Sequence, residues 1–117
     1  MKILVRESAG GDCYEAAGRY ILNTGQDNND LTLVHGEVEG QGSLDGVQFG
    51  HAWIEDGDNV IDVSNGKQIK VPKIVYYQLG NISKINNLHK YNWSEAMKKM
   101  MKVKHWGPWD LKTSTGK

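Results

Sequence analysis

One cysteine, two prolines and a single phenylalanine occur in 117 residues, and no apolar run approaches the roughly 18 residues that a membrane span needs. A lone cysteine cannot close an internal disulfide, and a free thiol points to a reducing compartment. The first residues hold no charged stretch followed by a long apolar core. No export signal is therefore read, the cytoplasm is the expected location, and no membrane partner is expected. Proline and glycine occur at ordinary levels and 38% of the residues are hydrophobic, which excludes collagen-like, low-complexity and disordered chains. The length suits one domain over residues 1–117, with 110–117 read as a flexible tail.

Charge of one sign is also missing overall, since 14 basic side chains balance 14 acidic ones. The balance hides an asymmetry. Residues 1–62 carry 3 Lys/Arg against 12 Asp/Glu, and residues 63–117 carry 11 against 2. Either the halves neutralise one another on folding, or a basic second half meets an anionic partner.

Local patterns order the elements. Met1–Val5 reads as a short strand or strap, and Ser8–Gly11 as a turn. Asp12 is placed to cap a helix, with Glu15 completing a capping box and Tyr14, Ala17 and Ile21 forming an apolar stripe that ends at Asn23–Gly25. Leu31–His35 reads as a strand, the glycines of Gly36–Gly46 as a surface loop, and Val47–Glu55 as the next strand. Asp56-Gly57 and Asn65-Gly66 are hairpin signals around a strand at Asn59–Ser64. Lys67–Val71 and Lys73–Leu79 read as two further strands separated by Pro72, and the segment after them as a polar loop. Asn92 and Glu95 spell a second capping box for a helix whose buried side is Ala96, Met97, Met100 and Met101; Trp106 and Trp109 then lie on the core. The whole is an α+β fold: a cysteine-bearing N-terminal helix on an antiparallel sheet, with a C-terminal helix.

Three residues could do chemistry. Cys13 lies in the first turn of its helix, where unpaired N–H groups and the helix dipole favour negative charge, lower a thiol pKa and can hold an oxyanion. A lone cysteine is equally a small buried hydrophobe. With Asp56-Gly57 as the two central turn residues, Glu55 pairs with Asp58 and His51 lies opposite Asp62, on the same face. A carboxylate there orients the imidazole and favours its protonated form. Ala52, Ile54, Ile61 and Val63 then share the other, apolar face. Gly50 allows substrate or helix backbone to approach beside His51, and Trp53 shares the face of His51, where it could wall a cleft. A structural histidine bonded to a carboxylate is the alternative.

Gly11-Asp12-Cys13-Tyr14 at a helix start, Gly50-His51-Ala52-Trp53-Ile54 on a strand and Val60-Ile61-Asp62-Val63-Ser64 on the next resemble the papain-like and transglutaminase-like cysteine enzymes. That resemblance spans roughly residues 10–64. It implies Cys13 as nucleophile, His51 as general base and acid, and Asp62 as its orienter, with Gly11, Asp12 and backbone amides near the oxyanion and Trp53 in the cleft. The implied activity is peptidase, deamidase or transglutaminase-like chemistry on a peptide or other amide through a thioester, with hydrolysis the general case and no metal or cofactor. His35 could join Cys13, His51 and Asp62 as a zinc ligand, but no short ligand pair anchors such a site. Lys98, Lys99, Lys102 and Lys104 beside Trp93 and Trp106 suit a nucleic acid, although the sequence pI of about 6.9 argues against one. The rival to an enzyme is a binding module of the same fold whose basic C-terminal half docks an acidic or nucleic-acid partner.

Overall fold

The computed structural model describes residues 12–40, 42–64 and 66–113. Helix α1 (Asp12–Thr24) is followed by strands β1 (Leu31–Glu39), β2 (Gln48–Asp56), β3 (Asn59–Asp62) and β4 (Ile69–Pro72). Short helices α2 (Lys73–Leu79) and α3 (Ile82–Ile85), strand β5 (Leu88–Tyr91) and helix α4 (Trp93–Val103) complete the order. The strands form one sheet, β4-β3-β2-β1-β5, in which every neighbouring pair is antiparallel. This is an α+β fold. Among the described residues no helix is long and apolar enough to cross a membrane.

The sheet has helices on both faces. One face carries Leu31, Leu33, Ala52, Ile54 and Ile61, packed with Tyr14, Ala17 and Ile21 of α1 and Ala96 of α4. The other carries Val34, Val38, Phe49, Trp53, Val60 and Val71, packed with Tyr76 of α2 and Ile82 of α3. Residues alternate between the two because successive side chains of a strand point to opposite sides. The α1 stripe does what its spacing implies: Ala17 and Ile21 are wholly buried, and Gly18 lies so close to Trp106 that a Cβ would come within 2.5 Å of the indole. The capping box expected of Asp12 and Glu15 rests on the Asp12 side chain, which lies outside the described residues. Glu15 pairs with Arg19 one turn on, at 2.8 Å.

Several expected elements change. Lys73–Leu79 is a helix, not a strand. Its run of Ile74, Val75, Tyr76 and Tyr77 is apolar at either period; Pro72 supplies an N-terminal boundary, and the helix buries Tyr76 while leaving Ile74 exposed. The polar stretch after it contains α3 and β5. β1 runs on to Glu39, pairing residue by residue with β2 down to Gln48, so Gly36 is mid-strand and the loop begins only after Glu39. Gly36 is needed there because a Cβ would meet the Trp53 ring at 2.6 Å.

α4 carries the expected capping box, with Asn92 accepting from the Glu95 amide at 2.8 Å and Glu95 accepting from the Asn92 amide at 2.9 Å. Met101, expected on its buried side, is 68% exposed. The segment read as a tail is held as far as Thr113: Asp110 accepts from the Tyr91 hydroxyl at 2.6 Å and from Lys99 at 3.0 Å, the Lys112 carbonyl accepts from Asn87 at 2.8 Å, and Leu111 is buried. The expectations for Met1–Val5, Ser8–Gly11, Asn65 and 114–117 lie outside the described residues. The charge asymmetry is partly internal, since Lys70 lies 3.8 Å from Asp56, and Lys73 and Lys90 lie 3.6 and 3.0 Å from Glu55.

Candidate active site

β2 and β3 turn through Gly57-Asp58, so Asp56 pairs with Asn59, Glu55 with Val60 and Ile54 with Ile61. The expected pairing of Glu55 with Asp58 is therefore displaced by two residues. A shift of two keeps every side chain on its face, whereas a shift of one would have reversed them. His51 and Asp62 are accordingly diagonal neighbours on one face, not directly opposed, and the imidazole spans the offset: Nε2 lies 3.0 Å from Asp62 Oδ2.

Among the described residues, β3 stops at Asp62 and pairs with β2 only from Ile54 to Asp56. α1 packs on the opposite face of the sheet, and its first turn carries Cys13 to His51. Tyr14 sets the approach, since its hydroxyl lies 2.5 Å from where a Gly50 Cβ would be. The glycine beside His51 thus admits a helix side chain. Cys13 lies close enough to His51 to act on its imidazole. Because Nε2 is committed to Asp62, Nδ1 is the nitrogen left for the sulfur. Cys13, His51 and Asp62 keep 6%, 3% and 1% of their surface, so the cluster is nearly closed and its electrostatics are little screened.

Asp62 is held by more than histidine. Its Oδ1 accepts from the Ser64 amide at 2.8 Å and from the Ser64 hydroxyl at 2.5 Å, while Oδ2 accepts from the Tyr76 hydroxyl at 2.6 Å as well as meeting His51. The Ser64 contact is the two-residue turn that aspartate forms with its own backbone, and it fixes the carboxylate where β3 ends. Burial alone would raise this carboxyl. The hydrogen bond and charge of His51, with Ser64 and Tyr76, outweigh it and hold the group at about 2. Burial would likewise lower His51, but the hydrogen bonds to Asp62 and Cys13 and their charges raise it, to about 10. Burial, then the Asp62 charge, pushes the Tyr76 phenol well above its ordinary value. The resting pair is an imidazolium against a carboxylate.

Sequence reasoning placed Cys13, His51 and Asp62 together and missed Ser64 and Tyr76. Ser64 carried a signal, because Asp-x-Ser at a strand end is a turn pattern. Tyr76 carried none while its segment read as a strand. Trp53 is wholly buried, with its indole 6.1 Å from the His51 ring and its Nε1 donating to Glu55 at 3.2 Å, so it backs the imidazole instead of walling a cleft. Gly11 and the Asp12 side chain lie outside the described residues.

His35 does not join the cluster. It pairs with Ala52 on the other face, wholly buried, ringed by Tyr14, Tyr91 and Trp109 at centroid distances of 5.0, 5.2 and 4.9 Å, with neither ring nitrogen hydrogen-bonded among the described residues. The zinc set that included it is not assembled. Lys98, Lys99 and Lys102 border a shallow cleft of about 340 Å³ with Lys90, Tyr91 and Glu95. Lys99 and Lys90 are already bonded to Asp110 and Glu55. A larger cleft of about 770 Å³ lies along α2 and α3, lined by Lys73, Ile74, Tyr77 and Lys84 among others, and shares no residue with the Cys13 cluster. Compared with protein-family models, curated proteins and solved structures, the chain matches none of them.

Proposed function

We propose that this chain is a cysteine-dependent amide hydrolase of papain-like type, with Cys13 as nucleophile, His51 as acid and base, and Asp62 as the group that orients His51. The observation that carries this reading is the meeting of three side chains from three elements, α1, β2 and β3, in one buried cluster, with His51 hydrogen-bonded to Asp62 and Cys13 acting on the imidazole. A cysteine that only fills the core has no use for a charged imidazole beside it, and burying that charge is costly unless it is paired.

The chemistry follows from the roles. With its proton held by His51, Cys13 Sγ adds to the carbonyl carbon of the amide, and the oxygen takes up the negative charge. N–H groups at the start of α1, which have no partner within the helix, face that oxyanion. As the tetrahedral species collapses, the C–N bond breaks and the nitrogen takes the His51 proton, leaving a thioester and a free amine. His51, now neutral, takes a proton from water, whose oxygen attacks the thioester; the acid leaves, and sulfur and imidazolium are restored. An amine in place of water gives acyl transfer with the same residues. Throughout, Asp62 keeps the ring in one orientation and stabilises its cation.

The test is the alkylation rate of Cys13 with iodoacetamide at neutral pH, read by intact mass. The reading requires Cys13 to react faster than free glutathione in the folded protein, and to slow at least tenfold in His51→Ala. A thiol that resists until the chain is unfolded by urea, with no effect of His51→Ala, overturns it.

A further inference from the structure

Four donors converge on the Asp62 carboxylate, and they are divided between its oxygens. Oδ1 takes the two from Ser64, and Oδ2 takes the Tyr76 hydroxyl and the His51 ring. A carboxylate has about four lone-pair sites, so its accepting capacity is filled. The phenol and the imidazole share one oxygen, at 2.6 and 3.0 Å, with the phenol at the shorter distance. Tyr76 is wholly buried and leans on Trp53, with ring centroids 5.3 Å apart. A phenylalanine would fill the same space, so what the hydroxyl adds is this one hydrogen bond.

We infer that Tyr76 is a positioning residue for the Cys13–His51–Asp62 cluster: by occupying Asp62 Oδ2 it limits how tightly the carboxylate holds the His51 proton. A strong donor draws charge from the oxygen it binds, and the weakened oxygen binds its second donor less strongly. The titratable groups acting on Asp62 are His51 from β2 and the phenol from α2; Cys13 from α1 acts on the imidazole, and Cys13 and Glu55 act on the phenol. None of them replaces the donor that Tyr76 supplies. Without it, His51 keeps its proton to higher pH, and Asp62 takes one up at higher pH. An acid that holds its proton too firmly is a poor donor to a leaving amine, so the hydroxyl tunes the ring toward proton transfer. The inference rests on the proposed function only for this consequence in turnover.

The test uses the full chain with ¹⁵N-labelled histidine, comparing the wild type with Tyr76→Phe and Ser64→Ala. In Tyr76→Phe the Nε2–H resonance of His51 moves downfield and the ring titration shifts up by about half a pH unit or more. The high-pH limb of iodoacetamide alkylation at Cys13 follows it. Ser64→Ala, which leaves the backbone donor on the far oxygen, shifts the ring less. A fluorotyrosine at position 76, a stronger donor in the same shape, moves the resonance and the titration the opposite way, and it decides the matter if Tyr76→Phe fails to fold. A purely packing role lowers the melting temperature and leaves both readouts in place; that result overturns the inference. Failure of the proposed function looks different: wild-type Cys13 then reacts no faster than glutathione, while the His51 titration still responds to Tyr76.

Discussion

Lowering the pH should loosen this protein through His35, before any carboxylate is involved. Burial, reinforced by the charge of His89 and opposed by Asp110, lowers the imidazole from 6.5 to about 3. Its surroundings explain why. Tyr14 from α1, Tyr91 from β5 and Trp109 from the closing segment ring it, and among the described residues neither nitrogen has a partner to stabilise a proton. A base with a depressed folded value contributes stability that is complete above its unfolded value and is lost as pH falls below that value. Between pH 6.5 and about 3 the unfolded chain binds the proton and the folded chain does not. At pH 5 the loss is about 2 kcal/mol, or about 8 °C in melting temperature for a domain of this size. Circular dichroism melts at quarter-unit steps from pH 7.5 to 4.5 should show that slope. His35→Phe should remove it while changing stability at pH 7.5 by less than about 1 kcal/mol, because the ring is kept and no hydrogen bond is lost. A His35→Phe protein that keeps the full acid slope refutes the reasoning, and the buried proton site must then be sought elsewhere.

His51 gives the opposite slope. Its folded value is raised to about 10 from 6.5, so its contribution is complete below pH 6.5 and declines as pH rises toward 10. Melts from pH 7 to 10 should fall in the wild type and flatten in His51→Gln, which retains a donor for Asp62. Gly50→Ala should push the Tyr14 hydroxyl away from β2, since the added carbon would lie 2.5 Å from it. The expected result is about 1–3 kcal/mol of lost stability in urea denaturation and a slower Cys13 alkylation, because α1 carries both residues. An unchanged alkylation rate would show that Tyr14 does not set the position of Cys13.

The parts of the fold legible in the sequence are those whose pattern admits one reading. Tyr14, Ala17 and Ile21 form a stripe at helical spacing, Asn92 and Glu95 a complete cap, and the two strands around Gly57 an apolar face and a polar one. The site survived a wrong register because the displacement was even. Elsewhere the pattern was degenerate. Ile74–Tyr77 is apolar at both periods, so the pattern does not separate helix from strand, whereas the folded helix packs Tyr76 against Trp53. Gly36 looks like loop punctuation, but it lies in mid-strand because the Trp53 ring occupies the space where its side chain would be. β5 is four residues, two of them His89 and Lys90, and depends on pairing with β1 for its definition. Tyr76 and Leu111 were missed for the same reason, since both earn their places through contacts distant in sequence.

The central claim is that Cys13 and His51 act as one nucleophilic unit, and acyl transfer to the sulfur tests it most directly. With p-nitrophenyl acetate in excess at neutral pH, stopped-flow absorbance should show a stoichiometric burst of nitrophenolate. Peptide mapping should place the acetyl group on Cys13, and both signals should vanish in Cys13→Ala and fall at least tenfold in His51→Ala. No burst in the folded wild type, or acetylation that is equally fast in His51→Ala, would contradict the account.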